Sequence, residues 1–177
     1  MKKDSPLMLG VILFLICAVM TGILAYCNSI TAPIIAEAQL KEQQAAMKEV
    51  LPEAESFEEI NEAVSKGVSG GKTVGYTATV KPDGYGGEIT MIVGVSNDMT
   101  VTGVKITAMS ETAGLGAKAQ EESFLEMYKG KKDDVKVVKG SQKLDNEIVA
   151  ISGATITTNA VTSGVKDALK IVGEIAE

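Results

Sequence analysis

A run of small and hydroxyl-bearing residues near the C-terminus carries the clearest chemical signal in the chain. It reads SGATITT over residues 152–158, and the apolar residues after it recur at helical spacing, predicting a helix from about Thr157 or Thr158. A helix N-terminus presents unpaired N–H groups and the positive end of the macrodipole, which suit a phosphate group. Serine and threonine also precede helices as plain N-caps. The run therefore predicts either a phosphate site or an ordinary capped helix.

Composition excludes several other chemistries. The chain has no histidine, the usual general base for a serine or cysteine nucleophile and a usual zinc ligand. Its two cysteines, Cys17 and Cys27, lie within and at the end of an apolar N-terminal stretch. The remaining residues therefore predict no disulfide, no cysteine metal site and no metal ligand set. A net charge of −6 and a pI near 4.8 argue against a nucleic-acid partner, because phosphate backbones need a basic surface.

Three strings, in this order, resemble the FMN-binding domain family. Residues 84–89 (GYGGEI) resemble the family's GYGG-x-I start of a strand, and residues 110–118 (SETAGLGAK) resemble its ETPGLG loop. The SGATITT run resembles the flavin-attachment motif of these domains in the G subunit of the Rnf complex and the C subunit of sodium-translocating NADH:quinone reductase. Ala113 stands where the family usually has proline, so the loop loses a rigid φ.

The resemblance implies a covalently held cofactor. In the family, FMN is joined through its phosphate to the motif threonine, which matches Thr155, and the ETPGLG loop lies near the isoalloxazine ring. No residue is predicted to be catalytic. The residues predicted at the cofactor are Thr155 as the attachment point, with Ser152, Gly153, Ala154, Thr158, Glu111, Thr112, Gly114, Leu115, Gly116 and Tyr85.

Maturation is predicted to need a partner enzyme. The chain shows no base that would activate a nucleophile, so we expect a separate flavin transferase. The family commonly has an acidic residue three positions before the motif serine, where this chain has Val149, with Asp145 and Glu147 nearby. If the transferase reads that acid, attachment is less efficient here.

The N-terminal stretch predicts a membrane anchor over residues 6–27. No charged residue lies between Asp4 and Glu37, and the apolar run is about the 20 residues needed to cross a bilayer. A cleaved signal peptide is the alternative, but its apolar core is usually about 7–15 residues. LAYC over residues 24–27 loosely resembles a lipoprotein cleavage box, although Tyr26 is bulky there. Lysines before the span at positions 2 and 3, and none after it until Lys41, predict a cytoplasmic N-terminus.

The residues after the anchor predict an α+β domain. Strong helix formers over 33–51 predict a stalk that continues from the membrane, and Ser56 with Glu59 predicts a second helix over 57–65. Alternating residues over 74–80, 89–95 and 104–108 predict an antiparallel meander with one buried face. Residues 121–128 predict a short helix, residues 135–138 and 148–151 predict strand, and the C-terminal helix should lie on the sheet.

The predicted organisation follows from these elements. It comprises a cytoplasmic N-terminus (1–5), a single N-terminal transmembrane helix (6–27), a helical stalk or connector (28–70) and an extracytoplasmic, antiparallel-sheet FMN-binding domain with packed helices (71–177). The resemblance implies an electron-carrier subunit, rather than an enzyme alone, of a membrane-bound, ion-translocating ferredoxin:NAD oxidoreductase with other membrane subunits as partners. One alternative is the quinone-reductase C subunit, which is typically longer. Another is a non-redox, membrane-anchored binding module whose SGATITT only caps a helix.

Overall fold

The computed structural model describes residues 6–141 and 144–176, and it divides the chain into two compact units, 1–42 and 43–177. The predicted cytoplasmic segment, residues 1–5, lies outside the described residues. The first unit is described as helix alone. The second unit holds five strands of one sheet, a smaller sheet and the C-terminal helix.

Helix α1 runs from Pro6 to Val50, so the predicted anchor (6–27) and the helix formers from Pro33 onward lie in one helix. Pro33 lies inside the helix and not in a first turn. The most apolar 18-residue window of α1 has a mean hydropathy of 2.8, and none of it is buried within the protein. By its length and its apolar composition, α1 can therefore cross a bilayer.

The main sheet is an antiparallel meander whose five strands lie in chain order. The predicted strands over 74–80, 89–95 and 104–108 are confirmed, with Ala78 opposite Val93 and Val93 opposite Val104. The strands are β1 (Ser56–Glu59), β2 (Val64–Ser69), β3 (Lys72–Val80), β4 (Thr90–Ser96) and β5 (Val101–Ala108).

The helix predicted over residues 57–65 is wrong, because that stretch contains β1 and the start of β2. The turn between the strands is held by the Asn61 side chain, whose Oδ1 accepts the N–H groups of Ala63 (2.9 Å) and Val64 (2.8 Å). Pairing of β2 with the long strand β3 outweighs the local capping signal. The connector predicted over 28–70 is therefore helical only to Val50, and its last part belongs to the sheet.

Helix α3 (Thr155–Ala176) packs on one face of the sheet, as predicted, and it begins slightly before the predicted start. Its buried residues Val161, Val165 and Leu169 share a core with Met91 and Val93 of β4. The recurrence of apolar residues along α3 at three- and four-residue spacing places them on the face that meets the sheet.

The opposite face of β4 is also buried, so the prediction of one buried face is wrong for this strand. Ile92 packs there against Ala46, Met47 and Val50 from the last turns of α1, which belong to the same compact unit. The Thr102 hydroxyl donates to the Val50 carbonyl at 2.5 Å. Alternation in the sequence could not reveal this contact, because the covering residues lie about 45 positions earlier in the chain.

The segment between β5 and α3 is built from short elements. The predicted helix over 121–128 is confirmed as α2 (Glu122–Leu125) followed by a 3₁₀ turn (Glu126–Tyr128), and another 3₁₀ turn, Gly116–Gln120, precedes it. The predicted strand over 135–138 is confirmed as β6 (Lys136–Val138). The strand predicted to end near residue 151 is β7 (Glu147–Val149), which pairs with β6 in parallel.

Candidate functional site

A cavity of about 520 Å³ lies where the loop before β4, the loop after β5 and the start of α3 meet. This volume falls within the range of small-molecule sites, roughly 300–1,000 Å³. The cavity is lined by Tyr85, Glu111, Thr112, Leu115, Gly116, Gly153, Ala154, Thr155, Ile156 and Thr157. All three sequence motifs therefore contribute to one cavity, although they are far apart in the chain.

Most of the residues predicted at the cofactor lie at this cavity, and three do not line it: Ser152, Gly114 and Thr158. Thr158 is fully buried, and its hydroxyl accepts the Ile151 N–H (3.1 Å) and donates to the Ala154 carbonyl (3.0 Å). These bonds close the turn before α3. The sequence interpretation missed Ile156 and Thr157, although both lie inside the SGATITT run.

The turn that leads into α3 presents free backbone donors to the cavity. Gly153 has a φ of +78°, a left-handed conformation that glycine adopts without strain. The first intrahelical bond joins the Thr158 N–H to the Ala154 carbonyl at 3.0 Å. The N–H groups of Thr155, Ile156 and Thr157 therefore have no intrahelical acceptor, and they lie at the positive end of a 22-residue helix.

The three threonines of this first turn differ in the state of their hydroxyl groups. Thr157 and Thr158 are 1% and 0% exposed, and both hydroxyls are hydrogen-bonded. Thr155 is half-buried and lines the cavity, and its hydroxyl has no hydrogen-bond partner among the residues that the structure describes. Of the three hydroxyls, that of Thr155 is the one available to an incoming group.

Glu111 connects the three segments that form the cavity. One carboxylate oxygen, Oε1, accepts the N–H groups of Tyr85 (2.7 Å) and Gly86 (3.1 Å). The other, Oε2, accepts the hydroxyl of Thr157 at 2.9 Å. We call this carboxylate with its three donors the Glu111 bridge. These three hydrogen bonds replace much of the hydrogen bonding that the partly buried carboxylate would make with water.

Large apolar side chains stand exposed around the cavity. Tyr85, Leu115 and Ile156 are 71%, 45% and 55% exposed, which is unusual for such residues outside α1 in this protein. Exposed apolar groups around a concave site mark a binding surface. Apolar and aromatic contacts suit a flat ring system, while the helix N-terminus and the Thr155 hydroxyl suit its phosphate. The residues present therefore fit FMN.

Comparison with solved structures supports the same class of domain. The crystal structure of Shewanella oneidensis NqrC matches with a TM-score of 0.55 and 26% identity, over 60% of this chain and 54% of that chain. The C subunit of the Na⁺-translocating NADH-quinone reductase from Parabacteroides distasonis matches with a TM-score of 0.54 and 28% identity, over 64% and 61%. Residues 84–170 match the family model described as FMN-binding domain. The fold of this part of the chain is that of an FMN-binding domain.

Comparison with curated proteins defines the family more narrowly. The G subunit of the Na⁺-translocating ferredoxin:NAD⁺ oxidoreductase complex of Acetobacterium woodii is 38% identical over 96% of this chain and 92% of its own length. The G subunit of the proton-translocating complex of Clostridium ljungdahlii is 35% identical over 88% and 85%. Residues 1–50 match the model described as RnfG N-terminal region. The chain belongs to the family of G subunits of Rnf-type ion-translocating oxidoreductase complexes.

Proposed function

We propose that this chain is the flavin-bearing G subunit of a membrane-bound ferredoxin:NAD oxidoreductase complex, with FMN held as a phosphoester on Thr155. The attachment site rests on one observation: the half-buried Thr155 hydroxyl at the cavity has no hydrogen-bond partner among the described residues, whereas the hydroxyls of Thr157 and Thr158 are both bonded. The names of the full-length relatives support the complex. When bound, FMN supplies reversible electron uptake and release.

The site explains why a phosphoester would be held well at this position. With FAD as donor, the Thr155 Oγ would form a bond to the phosphorus of the FMN part, the pyrophosphate bond would break, and AMP would leave. The product keeps one negative charge. The N–H groups of the first turn of α3 would stabilise that charge by hydrogen bonding and through the helix dipole.

Attachment requires a base that takes the proton of the Thr155 hydroxyl, and we expect a separate flavin transferase to supply it. Glu111 and Tyr85 are the titratable residues that line the described cavity, and Glu111 already accepts three hydrogen bonds. Within the described part of the chain, neither side chain is hydrogen-bonded to the Thr155 hydroxyl, so the activating base would come from the transferase. Purified apoprotein incubated with FAD and Mg²⁺ should stay unlabelled until transferase is added. Spontaneous labelling of Thr155 would refute this requirement.

The attachment site predicts a clear result for Thr155→Val, paired with Ser152→Ala as the control. Valine removes the hydroxyl but keeps the shape, so covalent flavin should be lost while the fold persists, because a hydroxyl without a partner contributes little stability. Ser152 is exposed in the same turn, and its substitution should leave labelling unchanged. Flavin fluorescence of the denatured protein measures both. Covalent flavin on Thr155→Val would move the attachment point elsewhere.

The membrane assignment extends to topology and partners. The exposed apolar part of α1 and the match of residues 1–50 to the RnfG N-terminal region support membrane association. We propose that the domain lies on the extracytoplasmic side, because lysines precede the span and none follows until Lys41. The other subunits of the complex would be its electron-transfer partners. A C-terminal alkaline phosphatase fusion should be active in cells, and an inactive fusion would reverse the orientation.

The alternatives make different predictions. This chain covers 54% and 61% of the two quinone-reductase C subunits that match in structure, whereas it covers 92% and 85% of the two G subunits that match in sequence. A non-redox binding module would be colourless when purified from a host with the transferase. The proposed flavoprotein should be yellow and should keep its flavin after denaturation.

A further inference from the structure

We propose that Glu111 is a positioning residue for flavin attachment: the Glu111 bridge fixes the first turn of α3 so that the transferase can reach Thr155 and not its neighbours. This inference rests on the proposed function. It assigns Glu111 a role that acts through the protein itself, separate from any contact with the cofactor.

The bridge connects segments that are distant in the chain. The bonds from Tyr85 and Gly86 to Glu111 span 26 and 25 residues, and the bond from Thr157 spans 46. All three bonds end on one carboxylate. A single side chain therefore holds the loop before β4, the loop after β5 and the first turn of α3 in one arrangement.

Glycines leave the space that this carboxylate occupies. A Cβ added at Gly84 or Gly116 would overlap a carboxylate oxygen of Glu111, and one at Gly86 would overlap the Ser110 carbonyl. A Cβ at Gly116 would also lie 2.8 Å from the Thr157 hydroxyl. Packing around the bridge therefore explains one glycine in each loop motif, Gly84 and Gly116.

The bridge acts on Thr155 through Thr157. The two residues lie in the same helical turn, so fixing the Thr157 side chain fixes the rotation of that turn and the direction of the Thr155 hydroxyl. The same bond occupies the Thr157 hydroxyl, and the residue is only 1% exposed. Both facts remove this hydroxyl as a competing acceptor of the flavin phosphate. Errors of about 1 Å in the position of a reacting group cost on the order of 100-fold in rate.

Four variants test the inference in a labelling assay with the full-length chain, purified transferase, FAD and Mg²⁺. Glu111→Ala removes the bridge, and Thr157→Val removes its helical end. Glu111→Gln keeps an oxygen for the two loop N–H groups and an amide that can bond Thr157. Glu121→Gln is the control, because this exposed carboxylate makes no side-chain cap bond at the start of α2.

We expect Glu111→Ala to label at least tenfold more slowly than the wild type, with part of the flavin on Thr157, which has lost its partner. Thr157→Val should label several-fold more slowly, always at Thr155. Glu111→Gln should recover to within about threefold of the wild type, and Glu121→Gln should match it. Peptide mass spectrometry locates the flavin, and circular dichroism establishes that each variant is folded.

Wild-type rates and sole attachment at Thr155 in folded Glu111→Ala would overturn the inference. If Glu111→Ala does not fold, Thr157→Val decides, because wild-type labelling in that folded variant would overturn it equally. A Glu111→Gln variant as slow as a folded Glu111→Ala would also contradict a positioning role based on hydrogen bonds. Failure of the proposed function is distinguishable, because the wild type and Glu121→Gln would then stay unlabelled as well.

Discussion

Two groups of glycines allow close approach in this domain, and they differ in what occupies the space above them. The site glycines, Gly84 and Gly116, face the carboxylate of Glu111. The sheet glycines, Gly94 and Gly103, are paired across β4 and β5 and face the backbone of Val50 at the end of α1. The first group makes room for the end of a side chain, and the second makes room for main chain.

This difference predicts different consequences for the same substitution. A partly exposed carboxylate at the end of a flexible side chain can move away from an added methyl group and bond to water, so the loss of stability is limited to the hydrogen bonds of the bridge. The backbone of a helix end packed on a sheet cannot move without disturbing its neighbours. The site glycines should therefore affect function more than folding, and the sheet glycines should affect folding more than function.

Gly116→Ala should give the largest effect on function. The new methyl group would displace the Glu111 carboxylate and the Thr157 hydroxyl, so we expect labelling of Thr155 to fall at least tenfold. The midpoint of thermal unfolding should fall less than it does for Gly94→Ala. A variant that labels normally would show that the space above Gly116 is not needed for the site, and the comparison would fail on its functional side.

Gly94→Ala should give the largest effect on stability. Its Cβ would lie 2.9 Å from the Val50 carbonyl carbon and closer still to the carbonyl oxygen and to the Thr102 hydroxyl. Overpacking of this kind typically costs about 1–3 kcal/mol. Urea unfolding measures the loss, while the folded fraction should still be labelled at the wild-type rate. Unchanged stability together with slow labelling would reverse the comparison.

Tyr128 is fully buried in the core and is hydrogen-bonded to Thr162 of α3. Its hydroxyl lies 2.8 Å from that of Thr162, which donates to the Thr158 carbonyl, so Tyr128 is the donor. Burial raises the pKa of Tyr128 well above its ordinary value. The folded protein thus keeps a proton that the unfolded chain releases above about pH 10.

The sign of the pH effect follows from that difference. The contribution of Tyr128 to stability is complete below about pH 10 and falls as the pH rises further, by about 1.4 kcal/mol per pH unit. Tyr128→Phe should remove this slope, because phenylalanine has no proton to lose. Urea unfolding at pH 9 and pH 11 measures it for both proteins. Equal pH dependence in the two would show that Tyr128 titrates normally in the folded state.

Thr102→Val should give the smallest effect on stability. It separates the contribution of the Thr102 hydroxyl from that of the close backbone approach at the sheet glycines. The substitution removes the donor to the Val50 carbonyl and nearly preserves the side-chain shape. Loss of one such hydrogen bond costs about 1 kcal/mol. A loss as large as that of Gly94→Ala would mean that the hydroxyl, and not the close backbone approach, holds the end of α1 on the sheet.

Much of the fold follows from the periodicity of the sequence. The strands β3 to β5 alternate, and α3 has apolar residues at helical spacing, so both could be predicted. The hairpin of β1 and β2 could not, because Ser56 and Glu59 mimic a helix start and only pairing with β3 overrides it. The second buried face of β4 depends on α1, which is distant in the chain.

The site was predictable in its parts and not in its connections. Three motifs identified the segments that meet at the cavity, and the motif threonine Thr155 has the available hydroxyl among the three in its turn. The bond between Glu111 and Thr157 joins residues 46 positions apart, and no spacing rule predicts such a pair. Thr157 was therefore missed, even though it lies inside the motif.

Covalent flavin on Thr155 can be detected by peptide mass spectrometry of protein from its native membrane. Trypsin cleavage after Lys143 and Lys166 gives a peptide of residues 144–166 that contains the whole SGATITT run. We predict that this peptide carries the mass of FMN less one water, located on Thr155 by fragmentation. An unmodified peptide, from protein with an intact N-terminus, would contradict the account.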